Sequence, residues 1–91
     1  YGAHVEGKIV GVIATRNNGN HIALFFVDGA YHRQGIGRKL LDIVLANSTS
    51  NEITVNSSPY AQEVYQHLGF VETDSEQTKF GIRFIPMIYR K

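Results

Sequence analysis

The stretch that most limits how this chain can fold is Leu24-Phe25-Phe26-Val27-Asp28-Gly29-Ala30-Tyr31-His32-Arg33-Gln34-Gly35-Ile36-Gly37-Arg38-Lys39-Leu40-Leu41. An apolar strand runs into a loop with a glycine pair and three cations, and the loop opens directly onto helical spacing of apolar residues. The first amides of a helix have no partner inside it and carry the positive end of its dipole, so this arrangement is a place to hold an anion. Gly35 and Gly37 lack a Cβ, which lets the main chain approach a ligand or take positive φ. Arg33, Arg38 and Lys39 add mobile positive charge around the same point. The same glycines also fit a purely structural use, a tight turn and a close contact between helix and strand.

Two familiar phosphate loops do not fit. A P-loop needs Gly-Lys-Ser/Thr, and Gly37 is followed by Arg38-Lys39-Leu40. A dinucleotide-binding turn needs a third small residue three positions after Gly37, where Leu40 stands.

The remaining chain surrounds this unit with strands and a second helix. His4-Val5-Glu6-Gly7-Lys8-Ile9-Val10 reads as two strands around a Glu-Gly turn, and residues 9–14 are apolar on both faces, as in a covered central strand. Asn17-Asn18-Gly19-Asn20 is a turn, and Ile22 to Val27 a third strand, again apolar on both faces. The three make an antiparallel meander. Apolar residues at Ile36, Leu40, Leu41, Ile43, Val44 and Leu45 predict a helix that ends near Asn47, and Ile53-Thr54-Val55 a strand parallel to the third. Ser58-Pro59 reads as an N-cap with proline at the first helical position, and Ala61, Val64, Tyr65 and Leu68 share one helix face that Gly69 stops. A strand from Phe70 and a last strand over residues 80–89 follow; Pro86 is expected at an edge or a bulge.

Ninety-one residues make a single domain over 1–91 with a modest core. The net charge of +1 gives no argument for nucleic acid, and no apolar run is long enough to span a bilayer as a helix. The absence of cysteine excludes disulfides, thiolate metal sites and a cysteine nucleophile. His4, His21, His32 and His67 show no metal-ligand spacing, so no metal is expected. A cytoplasmic setting fits.

His32-Arg33-Gln34-Gly35-Ile36-Gly37, between an apolar strand and a helix, resembles the Gln/Arg-x-x-Gly-x-Gly/Ala signature of the GCN5-related N-acetyltransferases, with His32 in the first position. Ala61-x-x-x-Tyr65-x-x-Leu68-Gly69-Phe70 is similar to that family's fourth-helix motif, with Ser58 where the family has Asn. The resemblance covers nearly the whole chain. It implies the family's α/β acyltransferase fold: an antiparallel meander, then helix, parallel strand, helix and C-terminal strands. The family's opening strand and first two helices are missing, so the domain is expected to be truncated at its N-terminus.

By resemblance, acetyl-CoA is the cosubstrate and an amine, on a small molecule or a protein, the acceptor; a homodimer stays open. Phe25, Phe26 and Val27 are expected to line a gap between parting strands and bond the pantetheine amides. His32, Arg33, Gln34, Gly35, Ile36, Gly37 and Arg38 are expected at the pyrophosphate, with Ser58 and Ala61 along the same cofactor. The amide of Val27 or a neighbour is the expected oxyanion donor, and Tyr65 the general acid for the departing thiolate. Asp28, His21, Glu63 and a water chain are open as the base. The alternative is an acyl-CoA-binding module, or an inactive relative, without catalysis.

Overall fold

The computed structural model describes residues 1–31 and 35–91; His32, Arg33 and Gln34, and what the sequence assigns to them, lie outside the described residues. Seven strands and two helices follow one another among the described residues. These are β1 (Gly2–Val5), β2 (Lys8–Arg16), β3 (His21–Val27), α1 (Ile36–Asn47), β4 (Glu52–Ser57), α2 (Gln62–Leu68), β5 (Val71–Glu72), β6 (Gln77–Lys79) and β7 (Ile82–Arg90). The sheet runs β1-β2-β3-β4-β7-β5, with β6 also on β7. Among the described residues only β3 and β4 pair in parallel, and the other pairings are antiparallel. This is the mixed α/β fold that the sequence implies.

The first turns are written in residues that tolerate left-handed backbone. Glu6 and Gly7 take φ 51° and 79°, the double positive φ that a two-residue hairpin turn needs to match strand twist. Asn17, Asn18 and Gly19 do the same at 57°, 59° and 84° between β2 and β3. The meander then ends in one 3₁₀ turn (Gly29–Tyr31), where the Asp28 carboxylate accepts from the Ala30 amide at 2.9 Å.

One apolar cluster holds sheet and helices together. Leu40, Leu41 and Val44 of α1 and Tyr65 of α2 join Ile13, Ile22, Ile53, Val55, Phe70, Ile85 and Met87. Cross-strand register explains the grouping, since Ile13 faces Phe25 and Val55 faces Met87, and residues directly opposite share a face. At Gly11, α1 comes so close that a Cβ would lie 3.1 Å from Leu40 Cδ1 and 3.2 Å from Ile36 Cγ2.

Several expectations need correction. β3 is not covered on both faces: Leu24 and Phe26 are 54% and 55% exposed, because α1 covers only the side of Phe25. The second helix starts at Gln62, and Ser58 instead caps a turn, its Oγ accepting from the Ala61 amide at 3.2 Å. Val64 falls off the buried stripe and is 58% exposed, as seven residues make barely two turns to press against the sheet. Phe80 belongs to no strand; with Gly81 it forms the β6–β7 hairpin turn at φ 52° and 76°.

Pro86 is also not at an edge, since β7 lies between β4 and β5. Its carbonyl accepts from the Thr73 amide at 3.0 Å, so its nitrogen faces the same side. That point lies between the end of β5, at Glu72↔Met87, and the start of β6 pairing, at Gln77↔Phe84, where no ladder donor is required.

Gly69 stops α2 at φ 107°, with its amide on Gln66 and Tyr65 carbonyls, and a Cβ there would lie 2.9 Å from Tyr89 Cε2. Gly69→Ala is therefore expected to lower stability by about 1–3 kcal/mol, from left-handed strain and the ring contact together. Urea denaturation checks this; an unchanged midpoint would remove the constraint.

Candidate active site

The site is built where the sheet comes apart. β3 and β4 pair at only two positions, His21↔Thr54 and Ile22↔Val55, and then diverge although each strand continues. β3 remains bound to β2 and β4 to β7, so a wedge opens toward the C-terminal ends of both strands.

Hydrogen-bond direction decides which groups line that wedge. The Asp28 amide donates to the Val10 carbonyl at 2.7 Å, and Val27 stands opposite Gly11. By alternation Phe26 therefore turns its amide and carbonyl to Val12, while Phe25 and Val27 turn theirs toward β4. On the other wall the Thr54 amide donates to the Asn20 carbonyl at 2.9 Å, and by the parallel register Asn56, two residues on, uses its amide in the last pair with β3 and turns its carbonyl into the wedge. Of the three aromatic and apolar residues expected there, Phe25 and Val27 face the gap by backbone and Phe26 does not. Asn56 was not foreseen; only the parity of β4 relative to β3, which periodicity leaves open, could have found it.

The mouth of the wedge meets the start of α1. Gly35 takes φ 78° and ψ 6° just before the helix, and among the described residues no atom beyond its chain neighbours lies within 4 Å of where its Cβ would be. A non-glycine residue is strained there. Gly37 is different: a Cβ would meet Phe25 and Val27 side chains at 3.7 and 3.8 Å, ordinary contacts. Ile36 packs inward against β2. Arg38 is not the mobile charge expected at this point, because its guanidinium donates to the Leu68 carbonyl at 3.1 Å and ties α1 to the end of α2.

Tyr65 is buried on the wedge side of α2. Its ring meets Phe25 edge-on at 6.0 Å and Phe70 at 5.3 Å, and Phe70 in turn meets Tyr89 at 5.5 Å. Burial pushes the phenol pKa up to about 12. No buried side-chain polar atom among the described residues lacks a partner, and the Tyr65 hydroxyl forms no hydrogen bond within them. Ala61 is half-buried against the same cluster, and its carbonyl accepts from the Tyr65 amide at 3.1 Å. Ser58 stays at the turn before α2.

The candidate bases separate cleanly. The Asp28 carboxylate is used by its own turn, and Glu63 pairs with His67 one helical turn on at 3.7 Å, both on the solvent side of α2. His21 lies one pair behind Ile22↔Val55, where the strands part, with Nδ1 2.8 Å from Thr54 Oγ1. Burial, and then the Arg16 charge, lower its pKa. Thr54 was not foreseen, since nothing in the sequence pairs positions 21 and 54.

Comparison with known proteins agrees with this geometry. The acetyltransferase (GNAT) domain profile matches residues 1–91, and the chain belongs to that family. The fold is shared with a GCN5-related N-acetyltransferase from Rhodopseudomonas palustris, at 21% identity and TM-score 0.84 over 99% of this chain. It is shared as well with a GNAT-family acetyltransferase from Staphylococcus aureus Mu50, at 25% identity and TM-score 0.73 over 96%. YjaB from Escherichia coli matches 94% at 24% identity and TM-score 0.77. The chain spans only 59%, 63% and 60% of those three proteins. No curated protein sequence matches it.

The buried phenol has a consequence that needs no ligand. A tyrosine whose folded pKa lies above its unfolded value contributes stability that is complete below pH 10 and lost as pH rises through about 12. Tyr65→Phe should therefore flatten the alkaline fall in stability relative to the parent over that window. Denaturant titrations at stepped pH check this; parallel curves would mean a solvated phenol.

Proposed function

We propose that this domain holds acetyl-CoA in the wedge between β3 and β4 and transfers its acetyl group directly to an amine. The observation that carries the reading is the divergence of β3 and β4 after two residue pairs, with the main chain of Phe25 and the carbonyl of Asn56 turned toward the gap. The spaced amides of a pantetheine arm supply donors and acceptors at strand-like intervals, which suits such strand edges. The left-handed turn at Gly35 and the first amides of α1 suit the pyrophosphate at the mouth. With the phosphates there, the arm runs inward and its thioester lies toward the closed end.

The roles follow from direction and proton content. The Phe25 amide, turned into the gap, is the donor for the oxygen that becomes negative when the amine attacks. Tyr65, which keeps its proton at any pH below about 12, donates to the departing sulfur. The alternative of binding without turnover is separated by experiment.

CoA is expected to raise the thermal midpoint of the parent, because it binds only the folded state. Gly35→Val should lose that shift while the chain stays folded. Tyr65→Phe should keep it and lose about 10²–10⁴-fold in kcat with acetyl-CoA and an amine panel. Absence of a shift at millimolar CoA contradicts the binding reading. A shift with no turnover on any amine favours the non-catalytic alternative, and parent-like kcat in Tyr65→Phe removes the acid.

A further inference from the structure

We propose that Asn20 is a positioning residue: its main chain fixes the spread of the wedge and its side chain the seat of α1, and together they set where a bound thioester comes to rest. This rests on the acetyltransferase reading above. Among the described residues no pair joins β3 to β4 beyond Ile22↔Val55, so the angle between the strands is decided at and behind that point.

The main-chain link is to β4. The Asn20 carbonyl, immediately before β3, accepts from the Thr54 amide at 2.9 Å and from Thr54 Oγ1 at 3.3 Å. A carbonyl oxygen has two lone pairs, so both bonds fit on one atom. The Thr54 hydroxyl has then spent its one proton, and it accepts from His21 Nδ1 at 2.8 Å. One threonine is thus held against two consecutive residues, Asn20 and His21, one pair behind the parting of the strands.

The side-chain link is to the far end of α1. Asn20 Oδ1 accepts from Ser48 Oγ at 2.8 Å. Ser48 closes the helix: its amide donates to the Val44 carbonyl at 2.9 Å, and its own carbonyl accepts from Lys91 Nζ at 2.9 Å. The serine is buried, where a hydroxyl needs a partner. Beside it a depression of about 220 Å³, lined in part by Asn18, Gly19, Val44 and Asn47, parts the helix end from the β2–β3 turn. Apolar packing does not seat the helix on that side, and the Asn20 bond does.

These two links meet in one residue, and the cosubstrate depends on both. The start of α1, twelve residues from its end and so about 18 Å away, offers its amides to the pyrophosphate. With the phosphates fixed there and the arm laid along Phe25 and Asn56, the depth of the thioester follows from the strand angle and the seat of the helix. Released at Ser48, the helix end shifts against β3, and the thioester carbon moves relative to the Phe25 amide and the Tyr65 hydroxyl. A displacement of about 1 Å at a reacting centre costs about 10²-fold in rate, while the many contacts along the slot change little.

The test compares parent, Asn20→Ala, Ser48→Ala, the double variant and Asn20→Asp with acetyl-CoA and an amine panel, each below its own thermal midpoint. Both alanine variants should lose about 10²-fold in kcat with little change in KM for acetyl-CoA. The double variant should fall no further than Ser48→Ala alone, because the same bond is already gone. Asn20→Asp keeps an oxygen that accepts from Ser48 and should restore kcat. A role in stability alone lowers the midpoint and leaves this split absent, so parent-like kcat in folded Asn20→Ala overturns the proposal, as do additive losses in the double variant. Where Asn20→Ala does not fold, Asn20→Gln, which sets the amide one methylene further out, should show the same split, and parent-like kcat there overturns the proposal equally. Amide shift changes on CoA titration add a readout free of turnover. In Asn20→Ala those at Gly35–Arg38 should match the parent and those at Phe25 and Asn56 should differ; parent-like changes at both ends overturn the role. A parent that binds CoA but acetylates no amine overturns the acetyltransferase reading and this role with it.

Discussion

The parting of β3 and β4 after two residue pairs is the constraint on which the rest of the molecule depends. A sheet that gives up its central ladder loses backbone bonds where the core is thickest, so something else must hold its halves together. Side chains do this here. Phe25 of β3, Tyr65 of α2, Phe70 after it and Tyr89 of β7 form a run of edge-to-face and tilted rings from one half to the other. Each such pair contributes about 0.5–1.5 kcal/mol beyond its buried area, and the run is anchored at Gly69, where the chain turns under Tyr89. Arg38 on the Leu68 carbonyl adds a polar tie between α1 and α2. The wedge thus stays open on its backbone side while its floor is closed by rings.

Desolvation then sets the protonation of Tyr65 and His21 in opposite senses for one reason. Burial disfavours charge, so it keeps the proton on Tyr65 and off His21. At neutral pH the phenol is a donor and the imidazole an acceptor, with no paired charges needed to enforce either state. The Asp28 and Glu63 carboxylates are spent on a turn and a helix pair.

Much of this was legible in the sequence, and the reason is local. A strand, a glycine turn and a helix in 18 consecutive residues, and a helix stopped by Gly69 before Phe70, are short-range patterns whose chemistry is complete in the chain itself. What was not legible depends on partners far away. Whether Pro86 sits at an edge is decided by where β5 ends; whether Leu24 and Phe26 are covered depends on which face α1 takes; and Arg38 is claimed by a carbonyl 30 residues on. Thr54 and Asn56 entered the site only through the parity of β4 against β3, which no periodicity specifies.

The central claim, that the wedge is a cofactor slot with its phosphate end at α1, is tested most directly by amide chemical-shift changes when CoA is titrated into the labelled protein. The account predicts the largest changes at Phe25, Val27, Gly35–Arg38 and Asn56. Changes confined to the outer depression of α2, lined by Pro59, Tyr60, Gln62, Glu63, Gln66 and His67, with the wedge amides still, would contradict it.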